Sequence, residues 1–411
     1  MKRSTVLFAG LMALAFVFIQ MASAVPRYVD KYGTNPTPDY ISWETAATNI
    51  QDAVNVAIGG ETVWVSNGVY DAGGKITPSY ELTNRVCATT AIILRSVNGP
   101  AYTSIKGQSS PNGLMGTGAV RCVYLSGGAS LIGFALTNGY TMTNSVAIYD
   151  VYDKGGAGVL VVSSGCVSNC IIVGNFGCQG GSGASIRNGG SINNCIISNN
   201  NANTYGGGVR LHGSTAQMND CLVVNNIASN CGGGVCMESG SLMRNCLIAG
   251  NISKEGGGVW IWGIASSIRI DSCTIVGNVD YKTSGSGGGG GVYAYNSANN
   301  SLTNCIVWGN TATAGTGSNI CLSTSTQTYT HVCSGPVQTG IANIGSDPIF
   351  VGVDNGNYRL RMRSPCVNTG TNQNWMTNAV DLEGNARILS SIVDMGAYET
   401  LLWQGTIYRI P

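Results

Sequence analysis

The chain has 411 residues, of which 59 are Gly and 10 Pro, with 44% hydrophobic and only 10% charged side chains. Glycine without a strict three-residue period excludes collagen, and so large an apolar share excludes a disordered chain. A formal net charge of +1 with no basic run excludes the stripe of a nucleic-acid binder, leaving a turn-dense all-β protein as the expectation.

Lys2 and Arg3 precede an apolar stretch from Val6 to Ile19, which Ala22-Ser23-Ala24 closes with small residues. This is the pattern of a secretory signal, residues 1–24, cleaved after Ala24. The stretch is shorter than the roughly 20 residues of a spanning helix, so the mature chain is expected to be exported and not transmembrane. Over Ala46–Ile58, Ala47, Ile50, Val54 and Ala57 recur at helical spacing, with Ser42 as the expected N-cap. Such a helix suits an N-terminal cap, residues 25–60, over the end of a longer core.

A repeat governs residues 61–340. Gly tetrads end at Val159, Ala184, Val209, Val235, Val259 and Val292, at intervals of 25, 25, 26, 24 and 33 residues. Each is followed 11 to 14 residues later by Cys170, Cys195, Cys221, Cys246, Cys273 or Cys305, and five residues after each Cys by Asn175, Asn200, Asn226, Asn251, Asn278 or Asn310. A period near 25 with two or three short alternating apolar stretches and no helical pattern is that of a parallel β-helix, one coil per repeat. About ten coils at about 4.8 Å each give a rod about 50 Å long. Residues alternating from the last tetrad position, such as Val209 and Leu211, point inward, as do Met218 and its equivalents and the six Cys. The Asn would stack as an internal amide ladder and the Cys as a column of small buried side chains.

The outward positions of the strand after each tetrad carry the chemistry. One residue past the tetrad the column reads Leu160, Ser185, Arg210, Cys236, Trp260, Tyr293, and three past it Val162, Arg187, His212, Glu238, Trp262, Tyr295, with Arg121 as a downward extension. Aromatic rings stack on sugar rings and Arg forks pair with carboxylates. Glu238, Trp260, Trp262, Tyr293 and Tyr295 are therefore the candidate ligand-binding residues for a polysaccharide. Insertions at Tyr140–Lys154 and Val279–Gly287 enter just before this strand, bringing Asp150, Asp153, Lys154, Asp280 and Lys282 near it. No motif calls for a cofactor or metal. Calcium at the loop aspartates is the one cation the pattern leaves open, and the oligomeric state is open too. The row after each ladder Cys, Ile171, Ile196, Leu222, Leu247, Thr274 and Ile306, would be an exposed apolar stripe, so either the chain itself, such as its C-terminal part, covers it, which is the expectation, or it is a self-association face. Fifteen Cys in an exported chain leave at least one thiol unpaired, and Cys321 with Cys333 is the expected disulfide.

Residues 25–70, with Tyr28-Val29-Asp30 and Trp43-Glu44-Thr45-Ala46-Ala47-Thr48-Asn49-Ile50-Gln51-Asp52-Ala53-Val54, resemble the capping start of bacterial secreted right-handed β-helix proteins of the pectate-lyase-like superfamily. The tail, with Asp347-Pro348-Ile349-Phe350, Ser364-Pro365-Cys366, Asp381-Leu382-Glu383-Gly384-Asn385 and Asp394-Met395-Gly396-Ala397-Tyr398-Glu399, is similar to the choice-of-anchor Q domain, a cap over residues 341–411. These resemblances imply a right-handed parallel β-helix at the bacterial surface or outside the cell, among relatives that include enzymes and adhesin-like proteins. In the superfamily's lyases a basic residue removes the proton α to a uronate carboxylate that cations neutralise. His212, flanked by Arg187, Arg210 and Glu238, is the candidate base, with Lys282 and Lys254 as others, although no catalytic motif of those families matches here. The reading is a glycan-binding or structural surface protein, with a polysaccharide lyase or hydrolase as the alternative.

Overall fold

The computed structural model describes residues 24–143, 151–263, 267–283, 288–314 and 317–401. From the coil of Val159–Val162 onward, the coils visit the same faces in the same order. The strand after the Gly tetrad, such as Val209–His212, lies in a ten-stranded front sheet; the next, such as Gln217–Asn219, in an eleven-stranded flank sheet. Leu222–Val224 lies in a ten-stranded back sheet, and Ile227–Cys231 in a six-stranded rim sheet that returns the chain to the front. Equivalent strands pair in parallel and without slippage along the front, as in Val209 with Val235 and Arg210 with Cys236. This is a right-handed parallel β-helix. The rim sheet has no sequence signature because several of its strands, among them Phe176–Gly177 and Asn201–Ala202, are two residues long and show no alternation.

Corners explain the repeat. The residue before each ladder Cys (Asn169, Asn194, Asp220, Asn245, Ser272, Asn304) has φ between 49° and 55°, a conformation Asn and Asp tolerate best among residues with a Cβ. The chain thus turns and drops the Cys into the core, where Cys221, Cys246, Cys273 and Cys305 are fully buried. A second left-handed residue precedes each ladder Asn. Asn226 Nδ2 donates to Asn251 Oδ1 at 3.0 Å and to the Ile197 carbonyl at 2.9 Å, while its Oδ1 accepts from Asn200 Nδ2 and the Asn200 backbone N–H. The same pattern runs from Asn175 to Asn310 and on to Asn319, a rung the spacing did not reveal because its coil is shortened. The tetrads belong to this ladder. Gly206 has φ 64°, and a Cβ on Gly208 would meet the Gly234 carbonyl at 2.7 Å and Asn226 Nδ2 at 3.0 Å.

The N-terminal helix is shorter than its apolar spacing suggests. It spans Ile50–Val56, and its N-cap is Asn49, whose Oδ1 accepts from Asp52 N–H at 3.0 Å, rather than Ser42. Ala47 instead forms a parallel bridge with Val29, which holds the preceding segment extended. Asp153 and Asp280 do not face a common cation: Asp153 Oδ1 accepts from the Leu82 N–H and Asp280 Oδ1 from the Lys282 N–H. Asp150 lies outside the described residues. Among those residues, no three His, Cys, Asp or Glu side chains converge as a metal site would require.

The tail packs Phe350, Leu360, Cys366 and Met395 on the back sheet, burying Leu247, Thr274 and Ile306. Cover by the chain itself is therefore half realised, since Ile196 stays exposed further down the stripe. Arg387, completely buried, pairs with Glu399 at 3.2 Å, whereas Glu383 pairs with Arg359 at the surface. Cys321 and Cys333 are not bonded to each other. Cys321 stands beside Tyr293 on the outside of the front sheet and Cys333 beside Ile306 on the back sheet, so the rod separates them.

Candidate functional site

The outer columns of the front sheet converge on a cavity of about 370 Å³ where the front sheet meets the rim sheet. Arg210, Glu238, Trp260, Trp262 and Tyr295 line it from the front strands, and Tyr205, Cys231 and Glu255 from the rim. The last three were not singled out in the sequence. Each stands immediately before a Gly tetrad, a position that reads Gly180, Tyr205, Cys231, Glu255 and Gly288 up the rod, so the column one place before the tetrad held the missing signal.

The rings form a platform. Tyr205 and Trp260 are stacked with centroids 5.7 Å apart at 7°, and Trp260 and Trp262 at 6.0 Å and 6°. Trp260 is only 8% exposed because Cys231, Cys236, Tyr293 and Cys321 surround it, whereas Trp262 and Tyr295 are 42% and 43% exposed. Tyr293 is buried and does not line the cavity, so it supports the face without offering a ring to a ligand.

The charges arrange themselves differently from the simple expectation of free Arg forks. Arg210 donates through Nε and Nη2 to both oxygens of Glu238, at 2.8 and 3.0 Å, which occupies the fork. His212 Nδ1 lies 2.9 Å from Glu238 Oε2. Burial opposes ionisation of Glu238, but His212 and Arg210 outweigh it and hold the carboxyl down at about 2. Arg187, next in the column, is the cation left over: its Nε and Nη1 are buried without a hydrogen-bond partner among the described residues. Arg121 does not extend the outer column. It is completely buried, bound to Asn84 and to the carbonyls of Gly155 and Gly156. Lys282 donates to Glu255 at 2.7 Å, and this bond raises its pKa, which makes it a poor base. Lys254 is exposed on the rim strand Ile252–Glu255.

The carboxylate at the centre makes the site acid-sensitive. A folded value near 2 against an ordinary 4.5 means that the stability Glu238 contributes is present above about pH 4.5 and lost as pH falls toward 2. We expect Glu238 to contribute about 3 kcal/mol to the fall in stability over that range, read as the difference in urea midpoints between the parent protein and Glu238→Gln, a difference that should shrink as pH falls.

A family model described as "Right handed beta helix region" matches residues 157–334. No curated protein matches the chain in sequence. Among solved structures, pectate lyase Pel9A superposes with a TM-score of 0.53 at 15% identity, over 92% of this chain and 97% of that one. A rhamnogalacturonan lyase gives 0.46 at 12%, over 80% and 91%. The A-module of Azotobacter vinelandii mannuronan C-5 epimerase AlgE6 gives 0.27 at 14%, over 68% and 96%. The parallel pairing of the coils, the matched repeat region and the superposition over nearly the whole chain agree on one architecture, a right-handed parallel β-helix.

Proposed function

We propose that this is an exported β-helix protein that binds an extracellular polysaccharide on its front face, in a binding or adhesin-like role at the bacterial surface. The observation that carries the reading is the platform of parallel rings, Tyr205, Trp260 and Trp262, open to solvent through Trp262 and Tyr295 and rimmed by polar groups. Flat apolar faces beside hydrogen-bonding side chains are what a sugar ring, apolar on its faces and hydroxylated at its edge, requires. Arg187, beside His212 in the front column and with buried N–H groups unpartnered among the described residues, suits a polysaccharide bearing carboxylates. The signal-like residues 1–24 and the tail's resemblance to a choice-of-anchor domain support export and surface retention.

The test is retention of the mature chain on immobilised pectins, alginates and sulfated glycans. Trp262→Ala and Tyr295→Ala are expected to weaken binding roughly tenfold each with unchanged melting. Trp260→Ala should lower melting and binding together, because that ring is part of a buried cluster. Retention unaffected by Trp262→Ala and Tyr295→Ala would rule out this face.

One observation favours a catalytic reading. With Nδ1 of His212 bound to the Glu238 carboxylate, which fixes the ring, Nε2 is the ring nitrogen left to take a proton from a ligand. That is the arrangement of a general base beside the uncommitted Arg187, and the fold is shared with a pectate lyase. Release of unsaturated uronate, followed by ultraviolet absorbance and abolished by His212→Ala, would make the protein a lyase; retention with no release would leave it a binding rod.

A further inference from the structure

The repeat places Val332, not a cysteine, at the ladder position of the last coil: Val332 is in the core and Cys333 follows it in register with Ile306 on the outer side of the back sheet. Cys333 is nonetheless completely buried, because the tail covers it. The tail residue that meets it is Cys366, also completely buried and packed in the same cluster with Phe350, Leu360 and Met395, while Cys333 Sγ donates to the Ser346 carbonyl at 3.3 Å. Neither has the surroundings of a ladder cysteine, whose Sγ lies against the carbonyl two residues before it, as in Cys221 with Asn219 and Cys246 with Arg244.

We propose that Cys333 and Cys366 form a disulfide in the exported protein, a covalent staple that fixes the tail on the back sheet. Both are thiols in this structure. Each loses a proton and one electron as the S–S bond forms, and the two electrons and two protons reduce one disulfide of an oxidant, a thiol–disulfide oxidoreductase or oxidised glutathione, to two thiols. The neighbouring Cys333 thiol and then burial push the Cys366 thiol far up once the tail has docked. The bond therefore closes as the tail docks, while one thiol is still accessible as thiolate. An oxidising compartment is required, so in the cell the staple rests on the proposed export.

The test uses the full chain exported to an oxidising periplasm, with removal of residues 1–24 checked by N-terminal sequencing, and the same chain refolded from denaturant in oxidised glutathione. Alkylation under denaturing conditions without reductant should label two fewer than the fifteen cysteines, and peptide mapping should show Cys333 joined to Cys366. Reductant should lower the melting temperature of the oxidised protein by on the order of 5 °C and leave Cys366→Ala unchanged. Fifteen labelled cysteines, or Cys333 joined elsewhere, in the refolded chain overturns the staple wherever the protein resides. An uncleaved chain retained in the cytosol, with the staple formed on refolding, overturns the export alone.

Discussion

Asn251→Ala is expected to cost about 3–6 kcal/mol, enough to leave much of the chain unfolded or aggregated at physiological temperature. Asn251 Oδ1 accepts from the backbone and side-chain amides of Asn226, at 2.9 and 3.0 Å, and its Nδ2 donates to the Val223 carbonyl and to Asn278 Oδ1, both at 2.9 Å. Alanine leaves two donors on Asn226 and one acceptor on Val223 unpaired in a place that water does not reach, since Asn226 and Asn251 are fully buried. Asn251→Asp should do no better: it keeps the acceptors, loses the donor and buries a charge. Urea denaturation decides it, and a loss below about 1 kcal/mol for Asn251→Ala would show that the ladder follows from the fold without sustaining it.

Glu238→Ala should cost about 3–5 kcal/mol, because it strands a guanidinium rather than because the ion pair is strong. The side chains of Arg210 and Glu238 are 14% and 3% exposed, so the cation has little water to fall back on. The double variant Arg210→Met with Glu238→Leu should recover most of the loss while abolishing the hydrogen bond to His212. Chemical denaturation of the two single variants and the double one measures the coupling. Equal stability of Glu238→Ala and the parent protein would mean that Arg210 is solvated in the cavity.

The rod was legible because its period writes the same physical demand many times. Asn, the residue before Cys, and Gly all sit where a Cβ or a left-handed φ leaves few choices, and the inward rows of the front, flank and back strands lie where alternation puts them. The front columns could be assembled from the same register, which is how Arg210, Glu238, Trp260 and Trp262 came to be grouped. What the register could not convey was how these side chains use one another. Whether Arg210 faces a ligand or Glu238 depends on rotamers, and whether Trp260 or Trp262 is the open ring depends on Cys231, from a rim strand too short to announce itself, and on Tyr205, which bridges to it. The helix cap moved from Ser42 to Asn49 for a similar reason, because pairing of Ala47 with Val29 overrides local helical spacing. Cys321 and Cys333 are near in sequence but on opposite faces, a separation that only the coil geometry reveals.

The amide-to-amide bonds of the ladder have a direction: each Nδ2 donates to the Oδ1 of the next Asn toward the C-terminal end, and each Oδ1 accepts from the N-terminal side. Its two ends are closed by backbone, since Asn175 Oδ1 accepts from the Gly139 N–H and Asn319 Nδ2 donates to the Gly335 carbonyl. The flank and back sheets run on to isolated bridges at the C-terminal end, Ile341 with Thr330 and Ile344 with Cys333, and the helix Ile50–Val56 packs at the other end. A stack of coils that repeats this faithfully would otherwise be a template on which a second molecule could continue growing. Ending the amide column on its own backbone at both ends leaves no open amide there for another coil to pair with, and so fixes the number of its rungs.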